Sequence, residues 1–172
     1  MTDITQVTKI NIPATEGYDS IQVYIENFGS GQGKIIITHD GNAWTHYWNA
    51  MGDRTIEEFF STCSIDYLVN KLTRLDQTVY DESKIETKLK SEIIKLRKEG
   101  DISQEKARDL WLDVKDIDPF NELIIHSDLL YEILGEEWYY SLPQKPNPEY
   151  VKFYALVKIV RKTLKDICKE PK

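Results

Sequence analysis

The hydrophobic period of this chain changes once, near Gly52, and that change limits the folds open to it. Before it, β-branched residues alternate with period two: Thr8, Ile10 and Ile12, then Ile21, Val23 and Ile25, then Ile35 and Ile37 around Ile36. Half-buried strands need this alternation, because successive side chains point to opposite faces of a sheet. Between the second and third runs stands Gly29-Ser30-Gly31-Gln32-Gly33, which predicts a hairpin turn. The stretch from Ala43 to Asn49 carries Trp44, Tyr47 and Trp48 and predicts a fourth edge or crossing segment whose aromatics fill the core of a small sheet.

After Gly52 the period is helical. Thr55 with Glu58 three residues on reads as a capping box that launches Ile56, Phe59 and Phe60. Ser64 repeats the pattern before Ile65, Leu68, Val69 and Leu72. Asp81 or Ser83 opens a longer helix whose Ile85, Leu89, Ile93 and Leu96 form one stripe and which ends at Gly100. Ser103 caps the next, with Ala107, Leu110, Trp111 and Val114 inward, and Asp118-Pro119 stops it. Phe120 to Leu134 is apolar on more than half its circumference and predicts a central core helix. Pro143, Pro146 and Pro148 mark a loop, after which a last helix, Glu149 to Cys168, buries Phe153, Leu156, Val157, Val160, Leu164 and Ile167. The expected fold is α+β: an N-terminal antiparallel sheet of three to four strands packed against a C-terminal layer of about five or six helices. All of it forms a single domain over 1–172, with a β meander over 1–52 and a helical part over 53–172.

Chemistry is hard to find in the residues. His39, His46 and His126 lack metal-ligand spacing; Asp40 and Cys63 could join His39 and His46, but the tight pairs of a structural zinc site are absent. Asp113-x-x-Asp116-x-Asp118 lacks the glycine and the closing glutamate of a calcium loop. No G-x-S-x-G elbow exists, and the glycine-rich turn lies between strands, so no helix N-terminus follows it to hold a phosphate. The expectation is a protein with no catalytic residues, no metal and no cofactor. The enzymatic alternative is a metal-dependent hydrolase or nuclease built on His39, Asp40 and His46. Cys63 and Cys168 read as reduced, buried small hydrophobes. No apolar run approaches the roughly 18 residues that mark a membrane-span candidate, and MTDITQVTK has neither the apolar region nor the cleavage site of a secretory signal. A cytoplasmic protein is expected.

Charge is the more informative feature. The net of −7 resolves into −3 over 1–50, −1 over 51–100, −8 over 101–150 and +5 over 151–172. Asp109, Asp113 and Asp116 fall at i, i+4 and i+7, nearly opposite the apolar stripe of their helix, and like charges so spaced cost about 0.2–0.5 kcal/mol per pair. With Asp118, Glu132, Glu136 and Glu137 they form a candidate surface for a basic protein partner, one that otherwise holds a nucleic-acid backbone. The plainer reading is a solubilising face, or one neutralised by the last helix, in cis or across a homodimer. On that helix Lys158, Arg161, Lys162, Lys165 and Lys169 gather on one side and form a candidate nucleic-acid surface, which the net charge opposes at long range.

The segment Gly41-Asn42-Ala43-Trp44-Thr45-His46-Tyr47-Trp48-Asn49-Ala50-Met51-Gly52, followed by Glu58-Phe59-Phe60 and Asp66-Tyr67-Leu68, resembles a small family of uncharacterised bacteriophage and prophage proteins. In that family a W-x-x-Y/F-W-x-A-M-G segment precedes E-F-F and D-Y-L elements. The resemblance covers roughly residues 20 to 72 and implies phage or prophage origin and the bacterial host cytoplasm, with no catalytic residue to carry over. Acidic phage accessory proteins of this size are often inhibitors of host defence. The resulting expectation is a non-enzymatic protein that binds and modulates a host protein, for instance in a CRISPR or restriction complex, through its acidic surface. The alternative is a nucleic-acid-associated accessory protein that uses the basic last helix.

Overall fold

The computed structural model describes residues 6–15, 17–117 and 126–169. In chain order the elements are β1 (Thr8–Ile12), β2 (Ile21–Gly29), β3 (Gln32–His39), β4 (Asn42–Trp48), α1 (Ile56–Thr62), α2 (Ile65–Leu72), β5 (Thr78–Tyr80), α3 (Glu82–Glu99), α4 (Gln104–Lys115), α5 (Ser127–Leu134), α6 (Trp138–Ser141), β6 (Gln144–Pro146) and α7 (Pro148–Ile167). The fold is α+β, with seven helices among the described residues. Two compact units divide the chain: Met1–Asp76 with Pro148–Lys172, and Gln77–Asn147. Each has its own buried cluster.

The first unit is built on an antiparallel sheet in the order β1-β2-β3-β4. Its period-two pattern puts Ile21, Val23, Ile25, Ile35 and Ile37 on one face, all buried, and α1, α2 and α7 complete the cluster on that side. Burying each such side chain fully contributes about 1.5–3 kcal/mol, so this face is a substantial part of the unit's stability. Asp40 and Gly41, at φ 49° and 73°, make the tight β3–β4 hairpin, whose turn type needs two positive φ values. The other hairpin, between β2 and β3, is gripped from outside. Met51 N–H donates to the Gly31 carbonyl at 2.8 Å, Ser30 Oγ donates to Asp53 Oδ1 at 2.8 Å, and Arg54 Nε donates to the Met51 carbonyl at 2.8 Å. Gly52, at φ 70°, turns the chain from the sheet toward α1. Thr55 caps α1 with the full capping box: its hydroxyl accepts from Glu58 N–H while its own N–H donates to Glu58 Oε2.

The second unit is helical. Ile93 to Lys98 lie beside Ala107 to Leu112, and Glu82 to Leu89 beside Val114 and Ile117, so α3 and α4 run antiparallel. Ile85, Leu89, Ile93, Leu110, Val114, Leu130, Ile133 and Leu142 form its core. A two-stranded ribbon closes its base, with Val79 opposite Lys145.

Helix α7 packs with the sheet, through Trp44 against Phe153 at 4.7 Å between ring centroids. Several expectations change. Of the helix expected over Phe120 to Leu134, the described part is α5; Asp118, Pro119 and residues 120–125 lie outside the described residues. The loop marked by Pro143, Pro146 and Pro148 contains β6, and Pro148 opens α7, where a missing N–H costs nothing. Ile167 and Cys168 are exposed because α7 leaves the core after Leu164, and Cys63, the C-cap of α1, is only half-buried.

Candidate functional site

Ser103 starts α4 by accepting the Lys106 N–H at 3.1 Å, and that phase turns Leu110 and Val114 inward. The same phase leaves Asp109, Asp113 and Asp116 exposed, as their spacing requires. Asp116 ends the helix as its C-cap. Glu132, on the outward side of α5, meets Lys106 Nζ at 2.6 Å. The hydrogen bond to Glu132, with the nearby charges of Glu132, Asp109 and Asp113, raises the Lys106 pKa above the usual lysine value. Glu132 pairs with Lys106, the charges of Asp109 and Asp113 also act on it, and three carboxylates against one ammonium leave the group negative.

Glu136 and Glu137 lie exposed in the turn between α5 and α6. Asp118 lies outside the described residues. The sequence reading passed over the tyrosines of this unit. Tyr131 is 58% exposed on the outward side of α5 between Asp128 and Glu132, and Tyr140 is 73% exposed on α6. Their signal was available: Tyr131 falls outside the helical phase of Leu130 and Ile133. Exposed tyrosine is a residue that protein interfaces favour, with charge kept to the polar rim.

The basic surface is smaller than its sequence. Lys158, Lys162 and Lys165 are exposed along one side of α7, but Arg161 is half-buried with its Nε out of water and without a hydrogen-bond partner. Its charge acts instead on Cys63, whose thiol is pushed up in pKa by burial while Arg54 and Arg161 oppose that shift. Lys169 meets Asp166 at 3.9 Å.

The enzymatic alternative loses its geometry. His39 pairs with Asn42 across the sheet while His46 sits opposite Ile35, four residues away along β3, or roughly 13 Å at strand spacing. Burial lowers the His46 pKa, helped by the Lys71 charge and opposed by a hydrogen bond to the Lys71 backbone. His39 and Asp40 do share a cavity of about 400 Å³ with Trp44 and Lys152. Among the described residues no three His, Cys, Asp or Glu side chains come together as a metal site.

Residues 2–166 match the family model Phage_phiTE_072, described as a phage family. The chain belongs to this phage family. No curated protein and no solved structure matches it. The match runs through both units of the phage protein, well beyond residues 20 to 72. Among its described residues no helix is long and apolar enough to cross a membrane.

Proposed function

We propose that this phage protein is a non-enzymatic modulator that docks the acidic face of its second unit on a basic surface of a host protein. The reading rests on one observation: exposed Asp109, Asp113 and Asp116 line one side of α4 at a like-charge spacing that costs the helix, and with Glu132 paired to Lys106 they leave a net negative face. Exposed Tyr131 beside Glu132 supplies the apolar contact area that charge alone lacks. A basic host surface that otherwise holds nucleic-acid phosphates matches such a face, as in defence complexes of the CRISPR or restriction type.

The test is capture of a host protein from bacterial lysate by the tagged chain, compared with the D109K/D113K/D116K variant. A basic protein retained by the first and lost by the second is the expected result. Equal retention by both would sink the reading.

The exposed row of Lys158, Lys162 and Lys165 favours a second reading, a nucleic-acid-associated protein that uses α7. Low-salt anisotropy titrations with DNA and RNA decide it. Binding lost in K158E/K162E/K165E supports it, and no binding removes it.

A further inference from the structure

We propose that the groove between α3 and α4 is a docking site for an acidic amphipathic helix of a protein partner, separate from the acidic face. The groove encloses about 410 Å³. Its floor is Ile93 and the half-buried Trp111, and its apolar walls are Ile94, 44% exposed, and Leu112, 52% exposed. Ile94 and Leu112 leave two large aliphatic side chains in water along one groove, and a contiguous exposed apolar patch of this kind marks an interaction site where a lone exposed residue does not. Neither Ile94 nor Leu112 belongs to the unit's buried cluster, so burying that core does not require them.

Charge selects the occupant. The polar residues that border the groove are Arg97, Lys98 and Arg108, all exposed, and no carboxylate lines it. Among the described residues none of these three is in an ion pair. This occurs in a unit that holds sixteen acidic against ten basic residues, a net of −6. An apolar slot with a cationic rim, inside an otherwise acidic unit, is complementary to a segment with apolar anchors flanked by Asp and Glu. Its form follows from the walls: two antiparallel helices leave a lengthwise groove, which a third helix fills by laying i, i+3 and i+4 side chains into it. Helix α4 then carries two distinct surfaces about 100° apart, Arg108 and Leu112 toward the groove and Asp109 and Asp113 toward the acidic face.

The test selects binders to the full chain from a random displayed peptide library and measures the best as labelled synthetic peptides by fluorescence anisotropy. Enriched sequences are expected to combine Asp or Glu with Leu, Ile, Met or Phe at helical spacing. Their affinity should fall about tenfold or more in R97E/R108E, vanish in L112D, weaken with added salt, and persist in D109N/D113N. The substituted side chains are exposed, and circular dichroism checks that each variant folds. No enrichment, enrichment of basic sequences, or peptides that bind L112D as well as the parent would overturn the proposal. So would either competing occupant: concentration-dependent self-association abolished by L112D, which marks a second copy, or laurate binding at the groove with no peptide selected, which marks a lipid chain.

Discussion

Gly31 is where one missing side chain decides how the sheet meets its helices. A Cβ placed on it would lie 1.9 Å from the Gly52 carbonyl oxygen, and its φ of 72° is one that only glycine adopts freely. Gly41 shares the positive φ, but a Cβ there meets nothing within 4 Å. Gly31→Ala should therefore destabilise the protein by more than about 3 kcal/mol, and Gly41→Ala by about 1–2 kcal/mol, as read from urea unfolding midpoints. Equal losses would mean that the Gly31 contact with Met51-Gly52 carries no weight. His46 gives a second prediction at this scale. Its folded pKa lies below the ordinary 6.5, mainly through burial, so between the two values the unfolded chain holds more protons. Stability is then fully present above 6.5 and falls as pH drops through the lower, folded value. His46→Gln should flatten that slope in thermal melts taken from neutral to mildly acidic pH. The glycine-rich turn was legible in the sequence because five residues announce it. Its docking on Gly52 was not, since that contact joins residues 21 positions apart without any local pattern.

Helix starts were the most legible elements, because a cap is local chemistry. Thr55, Ser64 and Ser103 each accept the backbone N–H expected of them. Asp81 differs: its side chain makes no cap bond to its helix and instead accepts from Ser83 Oγ at 2.7 Å, meets Lys84 at 3.2 Å, and lies 4.0 Å from Lys145 of β6. Its backbone N–H donates to the Pro143 carbonyl at 2.8 Å, so one residue ties the start of α3 to the ribbon. The Ser83 hydrogen bond, with Lys84 next, holds its carboxyl below the ordinary 3.8 against the opposing effect of burial. For a carboxylate with a depressed folded pKa, the stabilisation is present above 3.8 and is lost as pH falls through the folded value. Asp81→Asn should lower the unfolding midpoint at neutral pH and lose less than the parent on acidification below 3.8, followed by circular dichroism at the helix band. A parallel acid response in both proteins would remove Asp81 from that role. The ribbon itself escaped sequence reading because three-residue strands containing Pro146 offer no alternation to detect. The acidic ridge on α4 was legible as a helical spacing, whereas the convergence of Glu132 on Lys106 belongs to packing between two helices.

At the scale of the whole molecule, charge and fold divide along the same line. The first unit holds thirteen acidic and twelve basic residues, a net of −1, so the second unit carries nearly all of the −7. The acidic middle and the basic end are legible along the sequence, but their membership of different compact units is not, because α7 joins the sheet only through packing. The buried cluster of the first unit, from Ile12 to Leu164, draws on its own two segments alone. The chain leaves that unit and returns to it at neighbouring points, since Asn147 N–H donates to the Gln77 carbonyl at 2.9 Å. Replacing residues 77–147 by a short Gly-Ser linker therefore spans a small gap, and loop-closure entropy falls when the connection shortens. The shortened protein should unfold cooperatively in urea, with a fluorescence change from the buried Trp48, and bind an anion-exchange column far more weakly than the full chain. If the acidic face acts as proposed, it should also fail to retain the basic host protein that the full chain captures. A shortened chain that shows no cooperative transition would overturn the independence of the first unit. One that folds and still captures the partner would move the binding surface out of the second unit altogether.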